Sequence, residues 1–118
     1  DTTNDEAGVY AAAGRVIAGD ASGANAFMLE RYGTTTLDHN IMRYAYYETK
    51  RYDDLIRSSL LRVANSPADP MARFQLVQAY AEAGRPSEAR AQVEETIRLF
   101  PDQAALGAEL LKQLGLTQ

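Results

Sequence analysis

Two acidic pairs and one histidine are the residues of this chain whose types suit acid–base chemistry: Asp53-Asp54, Glu94-Glu95 and His39. Asp53-Asp54 stands at the start of a predicted helix, where carboxylates interact favourably with the helix dipole. Adjacent residues on a helix point in different directions, so neither pair is arranged for a shared task. His39 lies near a predicted helix start, which favours a capping or solvated role over catalysis. We therefore predict no catalytic residues and no enzyme activity.

Cofactor and metal chemistry is also limited by composition. The chain has no cysteine, which removes disulfides, thiolate ligands and cysteine nucleophiles. With a single histidine, nearly every transition-metal site is excluded as well. No glycine-rich motif for a phosphate or a dinucleotide occurs. We predict neither a metal site nor a cofactor.

The overall composition is that of one ordinary soluble domain, with 118 residues, 46% of them hydrophobic, and a net charge of −4. A nucleic-acid-binding domain usually carries a basic excess, so we expect no nucleic acid partner. No apolar stretch reaches the roughly 18 residues of a membrane helix. The chain opens on Asp1 without a methionine, so we expect a piece of a longer protein or a processed form. Cytoplasm and periplasm both remain open as its location.

The most informative pattern is an internal repeat. Five pairs of residues recur at an offset of 34 positions, which indicates a repeated structural unit. The pairs are Met42 and Leu76, Tyr46 and Tyr80, Lys50 and Gly84, Leu55 and Ala89, and Pro67 and Pro101.

Each unit is predicted to contain two helices. In the second unit, Asp69 is a good N-cap and Pro70 suits the first helical position. Gly84 is a left-handed helix stop, and a second helix then runs over residues 86–99 to the break at Pro101. The first unit follows the same plan, with helices over 38–49, capped by Thr35 or Thr36, and over 52–64. Upstream, helices over 6–18 and 25–32 surround a turn at 19–23.

A last helix over 103–114, stopped by Gly115, is predicted to cap the array. Its predicted inward residues are Ala104, Ala105, Ala108, Leu111 and Leu114. The predicted segments are 1–35 (N-terminal helices, either a degenerate repeat or a cap), 36–69 and 70–102 (repeats), and 103–118 (capping helix and tail).

These units resemble the tetratricopeptide repeat, a 34-residue helix–turn–helix. In the second unit the matching residues are Leu76, Tyr80, Gly84, Ala89 and Pro101. In the first unit Tyr46 and Pro67 match strictly, whereas Arg43, Ser59 and Arg62 occupy positions where small or apolar residues are usual. The resemblance covers about the C-terminal two-thirds of the chain. It implies an all-α, right-handed α-solenoid of antiparallel helix pairs; an ordinary helical bundle is the alternative.

In such a solenoid the first helix of each pair lines a concave surface, so one stripe of each first helix is expected to be exposed. The stripes are Leu37, Asn40, Tyr44, Tyr47 and Glu48, and Met71, Phe74, Gln78, Ala81 and Glu82. The opposite stripes, expected in the core, are Met42, Ala45 and Tyr46, and Leu76, Ala79 and Tyr80. Exposed aromatic residues with polar neighbours are typical partner anchors, although packing against the N-terminal helices is an equal alternative.

We therefore predict a non-catalytic module that binds a peptide or protein segment in the concave groove. The predicted partner-binding residues are Asn40, Tyr44, Tyr47, Glu48, Phe74, Gln78 and Glu82. The face lacks lysine, so the resemblance does not extend to family members that hold a partner's C-terminal carboxylate. The alternative is a structural or oligomerisation appendage of a larger bacterial protein or enzyme, since similar repeats occur at the soluble ends of envelope proteins. Homo-oligomerisation is left open.

Overall fold

A computed structural model describes residues 5–116, and this part of the chain contains α-helices but no β-strand. The seven α-helices are α1 (Glu6–Ile17), α2 (Ala21–Tyr32), α3 (Asn40–Glu48), α4 (Tyr52–Asn65), α5 (Pro70–Glu82), α6 (Pro86–Leu99) and α7 (Ala104–Gln113), with a 3-10 turn at Pro101–Gln103. The all-α prediction is confirmed. Residues 1–4 and 117–118, at the ends of two predicted segments, lie outside the described residues.

The same turn ends α1, α3, α5 and α7. Each contains one residue in the left-handed region, with φ of 86° at Gly19, 59° at Lys50, 75° at Gly84 and 69° at Gly115. The next N–H then donates to a carbonyl five residues back: Asp20 to Arg15, Arg51 to Tyr46, Arg85 to Tyr80 and Leu116 to Leu111, at 2.8–2.9 Å. This is the Schellman geometry, which favours glycine. The predicted stops at Gly84 and Gly115 are confirmed, and Lys50 adopts the same left-handed conformation as Gly84, the residue 34 positions later.

The helix starts correct two predictions. The Asp20 carboxylate accepts from Gly23 N–H at 2.9 Å, so α2 begins at Ala21, four residues earlier than expected. His39, rather than a threonine, caps α3: its Nδ1 accepts from Ile41 N–H at 3.0 Å. Of the two roles left open for His39, capping or solvation, the structure shows capping, and the predicted N-cap at Asp69 is confirmed.

The chain forms two compact units, residues 1–61 and 62–118. In the first unit α1 packs against α2 and α3. The Asp5 carboxylate, at the start of α1, accepts from Arg31 Nε and Tyr32 OH at the end of α2, both at 2.5 Å. These hydrogen bonds hold the pKa of the Asp5 carboxyl well below its usual range. Since the start of one helix meets the end of the other, α1 and α2 are antiparallel.

The core of the first unit consists mainly of small and aliphatic side chains. Its buried members include Val9, Ala12, Val16, Ala24, Met28, Leu37, Met42, Ala45, Tyr46, Leu55 and Ile56. Tyr46 brings a hydroxyl into this environment, and its burial raises the pKa of Tyr46 to about 12. The three core residues predicted for α3 are confirmed as buried.

In the second unit α5 packs against α6, and α6 against α7. Phe74, Val77, Ala89, Val93, Leu110 and Leu116 form its buried core. The guanidinium of Arg73, near the start of α5, lies 6.0 Å from the ring centroid of Phe100, at the end of α6. These two helices are therefore antiparallel as well.

The inward face of α7 differs from the prediction. Gly107 and Leu110 are buried, Leu111 and Leu114 pack partly against the core, and the three alanines are exposed. The reason is the close approach of α7 to α6: a Cβ built at Gly107 would lie 2.7 Å from Ile97 Cδ1 and 3.3 Å from Val93 Cγ1. A side chain at position 107 would have to displace the Ile97 side chain and press on Val93, so glycine gives the closest fit at this crossing.

We expect Gly107→Ala to lower the free energy of unfolding by up to about 2 kcal/mol, because overpacking a buried contact costs about 1–3 kcal/mol and the helix-propensity gain of about 1 kcal/mol offsets only part of it. Gly14→Ala is the matched control: Gly14 is also inside a helix, but nothing lies within 4 Å of a Cβ placed at this position. The free energy of unfolding of Gly14→Ala should rise by about 0.5–1 kcal/mol. Urea denaturation of both variants measures the difference. A higher free energy of unfolding in both variants would contradict the tight α6–α7 crossing.

Candidate functional site

The exposed face of α3 carries four of the predicted partner-binding residues. Tyr44 and Tyr47 are 56% and 47% exposed, and Asn40 and Glu48 are exposed beside them. The spacing places all four on one side of the helix, opposite the buried stripe. Two aromatic rings are thus half in water on a helix whose other face is fully packed.

Arg43 fixes the position of α3 from its buried side. It is 7% exposed, and its Nη1 donates to the Asp38 carboxylate at 2.9 Å and to the Ser58 hydroxyl of α4 at 3.1 Å. Nη2 donates to the Asn40 side-chain oxygen at 2.9 Å. The Ser58 hydroxyl in turn donates to the Leu37 carbonyl at 2.6 Å. This network connects the start of α3 to the middle of α4 and also orients Asn40.

Two residues predicted on the exposed stripes are buried. Phe74 is 5% exposed and lies in the core of the second unit with Leu110 and Leu116, so the prediction that it is exposed is wrong and we do not include it among the partner contacts. Leu37 is buried in the first unit, where the segment before α3 packs inward. Helical periodicity alone does not reveal the elements against which these two side chains pack.

The polar residues predicted on α5 are exposed. Gln78 and Glu82 lie four residues apart on one side of this helix, and Met71 is exposed near its start. Ala81 is only partly exposed and packs against the core. In the second unit this side of α5 therefore offers polar groups but no exposed aromatic ring.

One residue of each acidic pair takes part in an ion pair with a nearby arginine on its own helix or next to it. The Asp54 carboxylate accepts a hydrogen bond from Arg51 Nε at 2.8 Å and also pairs with Arg57. Glu95 pairs with Arg98 at 2.5 Å. These contacts support the structural interpretation of both pairs. Among residues 5–116, no group of three or more histidine, aspartate or glutamate side chains is placed to hold a metal ion.

Tyr10 is an exposed residue that the sequence interpretation missed. It lies on α1 and is 54% exposed, comparable to Tyr44. The signal was available, since Tyr10 and Tyr44 are also separated by 34 positions. The glycines around it make the N-terminal segment a poor match to the repeat pattern, which concealed the equivalence.

Comparisons of the chain with protein-family models, curated proteins and solved structures found no match. In the described part of the chain, every helix is too short or too polar to cross a membrane. Function must therefore be inferred from the chain's own surface.

Proposed function

We propose that this chain is a non-catalytic protein-interaction module that binds a peptide or protein segment on the exposed face of α3. The observation that carries the proposal is the pair Tyr44 and Tyr47, half-exposed on a helix that is otherwise fixed. Tyrosine is favoured in interfaces because a large, rigid ring is buried at low conformational-entropy cost and its hydroxyl still finds a hydrogen bond.

The scaffold beneath this face supports the proposal. The Arg43 network and the buried stripe of α3 hold the backbone, so little order is lost when a partner binds. Glu48 supplies an exposed polar group next to the rings, and Asn40 supplies a side chain already oriented by Arg43. Gln78 and Glu82 stay predicted contact residues of the second unit.

We also propose that the helix pairs are tetratricopeptide-like and belong to a right-handed α-solenoid. The recurrence of one turn geometry at Lys50 and Gly84, 34 residues apart, supports this assignment. The buried Met42 and Leu76, with Tyr46 and the partly buried Tyr80, are the core residues that the repeat requires at these positions.

The test begins with selection of 12-residue peptides from a random display library on the wild-type chain. Dissociation constants of the selected peptides are then measured by fluorescence anisotropy. We expect the Tyr44→Ala/Tyr47→Ala variant to bind at least tenfold more weakly, about 1.4 kcal/mol, because the buried rings supply the contact area.

Leu29→Ala is the matched control, since Leu29 is equally exposed but lies on α2 of the same unit. It should change the dissociation constant less than twofold. Circular dichroism establishes that all variants remain folded. If peptides bind the tyrosine variant as well as the wild type, the proposal is wrong. Dimers that form without peptide in sedimentation equilibrium, and that dissociate in the tyrosine variant, would favour the oligomerisation alternative instead.

A further inference from the structure

The relative direction of α1 and α3 shows how far the aromatic surface extends. Glu6, the first residue of α1, has a carboxylate oxygen 3.2 Å from Nε2 of His39, the N-cap of α3. The two helices also pack against each other. Because their N-terminal ends meet, α1 and α3 run parallel, with an interaxial distance of about 8–10 Å expected for packed helices.

Tyr10 lies at the same level in this pair as Tyr44. Each tyrosine is four residues after the first residue of its helix, so each stands about one turn below the joined N-terminal ends. Tyr10 also shares the side of α1 that carries Glu6, because residues four apart on a helix lie on one face. Tyr10 and Tyr44 therefore lie at the same level on two packed, parallel helices, and we call the exposed side chains of Tyr10, Tyr44 and Tyr47 the tyrosine surface.

The exposed charges of the tyrosine surface are acidic. Glu6 is exposed at its upper edge and Glu48 below the rings on α3. Because the Nδ1 atom of His39 accepts a backbone N–H, Nε2 is the ring nitrogen that faces the Glu6 carboxylate, at 3.2 Å. The whole chain also carries a net charge of −4.

The arginines of the first unit are directed to other contacts. Arg15 stacks on the Phe27 ring at 5.1 Å, Arg31 binds Asp5, and Arg43 is buried beneath α3. Arg51 and Arg57 pair with Asp54. Lys50 is the remaining cation among residues 5–61, in the turn beyond the C-terminal end of α3.

We propose that the occupant of the tyrosine surface is a basic, arginine-containing peptide segment, and that Tyr10 is part of its binding site; this inference rests on the proposed function. Guanidinium groups stack on tyrosine rings, and carboxylates beside the rings bind the same cations with two hydrogen bonds. The charge of the surface favours such a segment and repels an acidic one.

The first test is the composition of the selected peptides. Sequences that depend on Tyr44 and Tyr47 should be enriched in arginine several-fold over the input library. If tyrosine-dependent peptides are acidic or uncharged, the basic partner is wrong while the proposed function stands. If no selected peptide depends on these tyrosines, both fail.

The second test is a titration with three labelled probes: a 12-residue peptide of four Gly-Arg-Ser repeats, and the same peptide with citrulline or glutamate in place of arginine. Citrulline keeps the shape of arginine but removes its charge. We expect saturable binding of the arginine probe, at least tenfold weaker binding of the citrulline probe, and none of the glutamate probe. Equal binding of the arginine and citrulline probes would overturn the inference.

Variants of the chain separate the contributions. Glu6→Gln/Glu48→Gln should weaken binding of the arginine probe several-fold and flatten its salt dependence, because fewer charges are screened. Tyr10→Ala should weaken it several-fold, whereas Leu29→Ala should not. An unchanged affinity of Tyr10→Ala, alongside a loss in Tyr44→Ala, would remove Tyr10 from the site. Sedimentation at high concentration identifies a second copy as the occupant if Tyr44→Ala abolishes a dimer, and that result would overturn the basic partner.

Discussion

Phe74→Ala is expected to lower the free energy of unfolding by about 3–5 kcal/mol, the typical cost of truncating a buried phenylalanine. The ring is almost completely buried with Val77, Leu110 and Leu116, so its loss opens a cavity among α5, α7 and the chain end. Urea denaturation followed by circular dichroism measures the change. For a domain of this size the loss is a large fraction of the total stability.

Met71→Ala is the matched control for this prediction. Met71 lies on the same helix three residues earlier and is also a large apolar residue, but it is exposed. Its truncation should cost less than about 1 kcal/mol, as is usual at the surface. Equal effects of Met71→Ala and Phe74→Ala would mean that Phe74 is exposed, as the sequence alone suggested, and that the core of the second unit is wrongly assigned.

Arg43→Ala is expected to lower the free energy of unfolding by about 2–4 kcal/mol. Removing one member of a buried ion pair typically costs about 3–5 kcal/mol, and the value is reduced here because the Asp38 side chain is 24% exposed to water. The variant also leaves the Ser58 hydroxyl and carbonyl without the guanidinium donor in a buried position.

Arg57→Ala provides the comparison. Arg57 also pairs with an aspartate, but it is exposed on the outer side of α4, and such surface pairs contribute about 0–1 kcal/mol. Chemical denaturation of both variants measures the difference. A cost below about 1 kcal/mol at Arg43 would contradict the network that we assign to the base of α3.

Arg43 also shows where sequence interpretation reaches its limit. The repeat pattern expects a small residue at this position, so Arg43 counted against the resemblance. In the structure the two terminal nitrogens of the guanidinium donate to Asp38, Asn40 and Ser58, which come from three segments. Only the folded arrangement of α3 and α4 brings these groups together.

The local features were largely predictable because nearby residues determine them. Asp69 and Pro70 specify a helix start, and Gly84 specifies a stop, whatever the rest of the chain does. The exposed face of α3 followed from its clear alternation of apolar and polar sides. For α5 the periodicity does not determine which side of the helix is buried, because Ala72, Phe74 and Val77 spread apolar residues around most of the helix. Which side becomes core depends on α7, which lies far along the chain.

An amide NMR titration of the chain with a selected peptide decides whether the tyrosine surface is a binding site on a fixed scaffold. We predict saturable shifts concentrated in residues 6–17 and 40–48, with α6 and α7 unchanged and the helical spectrum retained. Shifts concentrated in residues 86–113, with residues 40–48 unaffected at saturation, would contradict a binding site at Tyr44 and Tyr47.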